Sequence, residues 1–170
     1  MRSLFLSFLT IIFFNNSSNA QSITQLKACD VLSIEQMAKL LETNPTNLVK
    51  EDMSFAEGKR RTICHYILKG AIGSVNVRVA IKSDKAQENK VLEKSYQRYL
   101  TQGEQNISSY EEISAEGEIQ ILYGANTDRS GTNHVIRKRF GNIGEIKIEV
   151  LKGNSDESLR TALLEIIQGY

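Results

Sequence analysis

Residues 61–82, RTICHYILKGAIGSVNVRVAIK, decide how the rest of the chain is organised. In the second half Val75, Val77, Val79 and Ile81 alternate with Ser74, Asn76, Arg78, Ala80 and Lys82. Successive side chains on a strand project to opposite faces, so this alternation predicts a strand with one buried face. Gly70 and Gly73 bound the turn before it, where a tight reversal calls for positive φ. The stretch therefore predicts an antiparallel hairpin with Cys64 on its first arm.

The pattern recurs downstream. Gly70, Ile72 and Gly73 match Gly141, Ile143 and Gly144 at an offset of 141 − 70 = 71, and Val75, Val77 and Val79 fall on Ile146, Ile148 and Val150. Each hairpin leads into a helical segment. The first, within 84–102, has Asp84 and Gln87 as a capping pair, an apolar stripe of Leu92, Tyr96, Tyr99 and Leu100, and Gly103 as its stop. The second opens with Asn154 and Glu157, and carries Leu159, Ala162, Leu163, Ile166 and Ile167 at helical spacing. Two repeat-like ββα units are thus expected, at 61–102 and 132–168. The GxIG turns join strands instead of opening helices, so they do not read as dinucleotide loops.

Between these units Ile119, Ile121 and Tyr123 alternate as a single strand. Residues 104–116 are polar and without period, and NTDRSGTN (126–133) is rich in turn formers, so both predict irregular chain. Upstream, Ser33 with Gln36 three positions on makes a capping box before Met37, Ala38 and Leu41. Residues 42–60, which hold the single proline Pro45, predict a loop with a short turn or strand near 48–55. The fold expected from these parts is α+β: an antiparallel sheet of about five strands built from two ββα units, with helices packed on one face. An N-terminal helix would be tied to it by a disulfide.

The first twenty residues predict a different fate. Arg2 precedes an uncharged apolar run, LFLSFLTIIFF (4–14), and the following NNSSNA ends in small residues, which is the pattern of a secretory signal cleaved before Gln21. The run falls short of the roughly 20 residues that cross a bilayer, so no membrane span is expected. Residues 21–170 would then form one domain in the periplasm or outside the cell. Loss of Arg2 takes the basic residues from 21 to 20, against 20 acidic ones. That neutrality offers no general attraction for nucleic acid. An even pair of cysteines, Cys29 and Cys64, is in an exported chain most simply a disulfide. The competing reading, a Cys64 thiolate activated by His65, is disfavoured because strand neighbours face opposite ways.

The residues ACDVLSIEQMAKLL (28–41) and ICHY (63–66) carry a resemblance to small exported lipoproteins of actinobacteria that share a domain without an assigned activity. Cys29, Asp30, Leu32, Ser33, Cys64 and Tyr66 occupy the places of the family's Cys-Asp-Leu-Leu-Ser/Thr helix and later Cys-x-Trp/Tyr. The late RKRFGN (137–142), followed by an alternating strand and a terminal helix, is similar too. No cysteine stands where such proteins are lipidated. The resemblance implies a helix-flanked antiparallel sheet, a Cys29–Cys64 bridge and no established activity.

No catalytic set emerges. His65 and His134 are single histidines, and a metal site needs three or four convergent ligands; neither metal nor cofactor is expected. Arg137, Lys138 and Arg139, with Arg78, form the sharpest basic group, for which Glu145 and Glu149 offer cross-strand partners. Tyr66, Tyr96, Tyr99 and Tyr123 are candidates to line a cleft between helix and sheet. The residues expected to face a ligand are His65, Tyr66, Tyr123, Arg137 and Arg139. The function expected is that of an exported non-catalytic domain binding an unknown protein or small ligand. The alternative is a small enzyme using His65 as base in a pocket between helix and sheet.

Overall fold

The computed structural model describes residues 23–53, 61–81, 86–103, 107–129, 131–141, 143–152 and 157–170. The segment expected to be a signal, the cleavage junction expected before Gln21, and the capping pairs begun by Asp84 and Asn154 lie outside the described residues, as does the side chain of Leu92. Seven strands form one antiparallel sheet: β1 (Leu48–Asp52), β2 (Arg61–Leu68), β3 (Gly73–Ile81), β4 (Glu111–Glu116), β5 (Ile119–Asp128), β6 (Gly131–Phe140) and β7 (Gly144–Lys152). Their order is β1-β2-β3-β7-β6-β5-β4. Four helices are described: α1 (Ala28–Val31), α2 (Ile34–Leu40), α3 (Ala86–Gln102) and α4 (Glu157–Gln168).

This overturns the expected α+β domain with a sheet of about five strands. The sheet has seven strands and dominates the molecule. The two additions, β1 and β4, are its edges. An edge strand has one neighbour and gains protection from charge, so β1 can be LVKED and β4 EEISAE with little apolar alternation. A bulge between Glu112 and Ser114 further breaks the period of β4. Within the expected loop at 126–133, residues 126–128 and 131–133 are instead strand. Asn126 pairs with Asn133, Thr127 with Thr132 and Asp128 with Gly131, and the Thr127 and Thr132 hydroxyls share a hydrogen bond of 2.9 Å.

The two hairpins meet at the centre of the sheet. Val75, Val77 and Val79 of β3 face Val150, Ile148 and Ile146 of β7, and all six are at most 1 % exposed. Val77 and Ile148, the central pair of the three, are 148 − 77 = 71 residues apart, so positions related by the sequence offset meet there and only there, because the strands run antiparallel. Gly70 and Gly141 open the two turns at φ +73° and +51°, the left-handed conformation that glycine adopts without steric cost. Gly73 and Gly144 instead begin strands; a Cβ on Gly144 would lie 2.5 Å from the Ala80 carbonyl oxygen.

The expectation that the helices share one face is also overturned. On one face α1 covers β2 and β3 and α2 packs at β1, while Leu159, Leu163 and Ile167 of α4 pack into the same apolar core with Ile121, Ile136, Ile146 and Ile148. On the other, Tyr96 of α3 packs with Ile107, Tyr110, Leu122 and Val135. Strand alternation puts Leu122 and Val135 on the face opposite Ile121 and Ile136. The result is three layers, with the sheet in the middle.

Cys29 of α1 is bonded to Cys64 of β2, as the cysteine count predicts. Around the bond the Ala28 amide donates to Thr62 Oγ1 at 2.8 Å, the Tyr66 hydroxyl donates to the Leu32 carbonyl at 3.1 Å, and Lys50 Nζ donates to the Cys29 carbonyl at 3.3 Å. The next helix, α2, starts in the predicted capping box: Ser33 Oγ accepts from the Gln36 amide and Gln36 Oε1 from the Ser33 amide.

Candidate functional site

The α4 stripe is two residues wider than its packing requires. Leu159, Leu163 and Ile167 are buried at 3 % exposure or less, while Ala162 and Ile166 are only half-buried. These two look sideways toward α2, whose Leu40 faces them. Between the helices runs a groove of about 840 Å³, with Leu40, Leu159, Ala162 and Ile166 as its apolar part and Lys39, Glu42, Lys152 and Glu165 among its charged lining. Tyr170 also lines it, and its hydroxyl donates to the Val31 carbonyl, so the segment after α4 is fastened to the end of α1.

Lys152 at the end of β7 meets Glu42 at 2.6 Å. Glu42 follows α2 with φ +50°, the only non-glycine residue at positive φ among those described. A side chain in that conformation costs about 1 kcal/mol, and an ion pair to a glutamate this exposed offsets little of it. The conformation is that of a Schellman turn ending α2: the Thr43 amide donates to the Ala38 carbonyl at 2.8 Å and the Glu42 amide to the Lys39 carbonyl at 3.2 Å.

The opposite face carries a different assembly. Arg137, 1 % exposed, is held by Glu145 at 2.5 Å and donates through Nε to the Tyr110 hydroxyl at 3.3 Å. Its guanidinium lies 3.9 Å from the Tyr99 ring centre, an arrangement that attracts a cation to the ring face. Arg78 of β3 reaches the same Glu145 oxygen at 3.2 Å. Arg139 sits over the Tyr96 ring at 4.2 Å and pairs with Glu93 of α3, which holds the Glu93 carboxyl below its ordinary pKa. Lys138 leaves this group: alternation turns it to the other face, where Nζ donates to the Ile167 and Gln168 carbonyls at the end of α4. Burial there pushes its pKa down.

The residues expected to face a ligand are therefore separated by the sheet. Tyr66 is fully buried in the core beside the disulfide, and Tyr123 bonds through its hydroxyl to His134 Nδ1 at 2.7 Å. His65, Arg137 and Arg139 lie on the far face, with Tyr96 and Tyr99 above the two arginines. None of the five lines the groove. Among the described residues, no three His, Cys, Asp or Glu side chains are grouped to hold a metal ion, and no helix is long and apolar enough to cross a membrane.

Buried tyrosines give the protein an alkaline limit. Burial raises the pKa of Tyr66, Tyr96 and Tyr170, assisted at Tyr96 by Glu112 and at Tyr66 and Tyr170 by Asp30. A raised folded-state pKa contributes stability that is present below the unfolded value and lost as pH rises through the folded one. Lys138, with its pKa lowered, works in the opposite sense below 10.5. With three tyrosines against one lysine, stability is expected to fall as pH climbs past 10, the ordinary tyrosine value. Denaturation midpoints across that range, read beside tyrosinate absorbance, check this; a stability that is flat or rising there contradicts it.

No family model matches this chain, and neither a curated protein nor a solved structure is significantly similar to it.

Proposed function

We propose that the protein is an exported, disulfide-braced, non-catalytic binding domain of the cell envelope or its surroundings, and that a small amphipathic ligand lies in the groove between α2 and α4. The observation that carries this is the groove itself: half-buried Ala162 and Ile166 of α4 and buried Leu40 of α2, rimmed by charges of both signs. Its volume lies within the roughly 300–1,000 Å³ usual for small-ligand sites. The ligand's apolar body would rest on Leu40, Ala162 and Ile166, with a polar group toward Lys39 and Lys152. Export is supported by Arg2, the apolar run 4–14 and the small residues ending at Ala20, together with an oxidised cysteine pair. The likeness to exported actinobacterial lipoprotein domains and the reading of the two hairpin units as an internal repeat belong to the same proposal. The enzyme reading gains no observation, because His65 faces away from the groove.

An anilinonaphthalene sulfonate dye, whose fluorescence rises in apolar surroundings, is the probe. One saturable site is expected on the native protein. Ala162→Trp, which fills the groove from a half-buried position, should weaken it about tenfold without lowering the denaturation midpoint. Equal dye affinity in Ala162→Trp and the parent protein would remove the groove as the binding site.

A further inference from the structure

Two of the charges that line the groove, Lys39 on α2 and Glu165 on α4, have no side-chain ion pair or hydrogen bond among the described residues. The helices explain why. Positions three and four apart are the neighbours on a helix surface. Around Glu165 these are Thr161, Ala162, Gln168 and Gly169, none of them a cation. Lys39 has Glu35 and Glu42 within a turn, but a hydrogen bond from the Ser33 side chain holds the first, and Lys152 holds the second at 2.6 Å. The two lone charges stand on opposite walls and do not reach each other.

Gln36, one turn before Lys39 on the same wall, adds a fixed donor. Its Oε1 accepts from the Ser33 amide at 2.8 Å, which pins the amide group and leaves Nε2 to donate. The α2 wall therefore offers an ammonium and an amide N–H to a carboxylate, and the α4 wall offers a carboxylate to an ammonium. Between them lies the apolar floor of Leu40, Ala162 and Ile166. That floor is a few side chains across, the scale of one or two aliphatic residues and not of paired acyl chains.

We infer that the groove takes a zwitterion with an aliphatic body, a short apolar peptide with free ends, its carboxylate at Lys39 and Gln36 and its ammonium at Glu165. The inference rests on the groove being the binding site proposed above, and adds the chemistry it selects. Lys39 and Glu165 are exposed, so each end contributes modestly. Calorimetric titration of the oxidised protein with leucyl-leucine, its N-acetyl form, its amide and the doubly blocked peptide tests this. Blocking either end should weaken binding about fivefold, and blocking both about 25-fold. Lys39→Gln should abolish the preference for a free carboxylate while keeping that for the free amine, and Glu165→Gln should do the reverse. Equal affinity for all four peptides, preferences that survive these substitutions, no binding of any of the four, or tighter binding of a short-chain phosphatidylethanolamine overturns the inference. If the dye site still weakens in Ala162→Trp alongside any of those results, the groove stands as a binding site and only its selectivity for a peptide falls.

Discussion

Replacing Cys29 and Cys64 together with alanine is expected to lower stability by roughly 3 to 4 kcal/mol. The bond closes a loop of 35 positions, and cross-linking a loop of that size removes about this much conformational freedom from the unfolded chain. For a domain near 150 residues the midpoint should fall by about 10 °C. The loss should concentrate in one place. The bond joins α1 to β2, and α1 leads directly into α2, one wall of the groove. Hydrogen exchange in the double variant should therefore rise first in 28–41, while the β3–β7 ladder keeps its protection. Denaturant titration with an unchanged slope measures the total; a loss below about 1 kcal/mol would mean that the packing of Leu32, Met37 and Tyr66 holds these helices without the bond.

Glu145→Ala is the second large effect, at about 3 to 5 kcal/mol, because removing one partner of a buried pair strands the other charge. Arg137 is 1 % exposed, so it cannot turn to water, and neither the Tyr110 hydroxyl nor the Tyr99 face, which also touch it, carries a charge to replace the carboxylate. Adding Arg137→Met should recover most of the loss, since an apolar side chain in that position no longer needs a counter-charge. Urea midpoints of the parent, single and double variants form the test. If the double variant is as unstable as the single, Glu145 acts mainly through Arg78 or through strand packing, and the buried pair is not the source of the effect.

Much of this architecture was legible in local pattern. The alternation of Val75 to Val79 and of Ile146 to Val150 gave the central strands, Ser33 and Gln36 gave a helix start, and an even cysteine count gave the bond. Features set by tertiary context were not. β4 is polar because an edge tolerates and profits from charge, so it carries no alternation to read, and β1, the other edge, was legible only as a short turn or strand near 48–55. The 126–133 segment has turn composition, yet the long β5–β6 ladder carries 126–128 and 131–133 into strand. The face each helix covers is set by tertiary packing, which no periodicity encodes.

The candidate site was hidden for a related reason. Ala162 and Ile166 stood in the predicted apolar stripe of α4, but only the position of α2 leaves them half-buried beside a groove and not under a neighbour. The tyrosines and arginines singled out by type are instead internal partners. Tyr66 secures α1, and Tyr99 and Tyr110 hold Arg137. Lys138, read as one of three adjacent cations, is separated from the other two by the thickness of the sheet.

The central claim is that a covalently fixed α1–α2 wall shapes a ligand groove against α4. Its most direct test is to titrate the same dye into the wild-type protein before and after reduction of the Cys29–Cys64 bond, at a temperature where the sheet stays folded. One saturable site that weakens about tenfold on reduction, and recovers on reoxidation, is the predicted result. Identical affinity in the oxidised and reduced protein would contradict it.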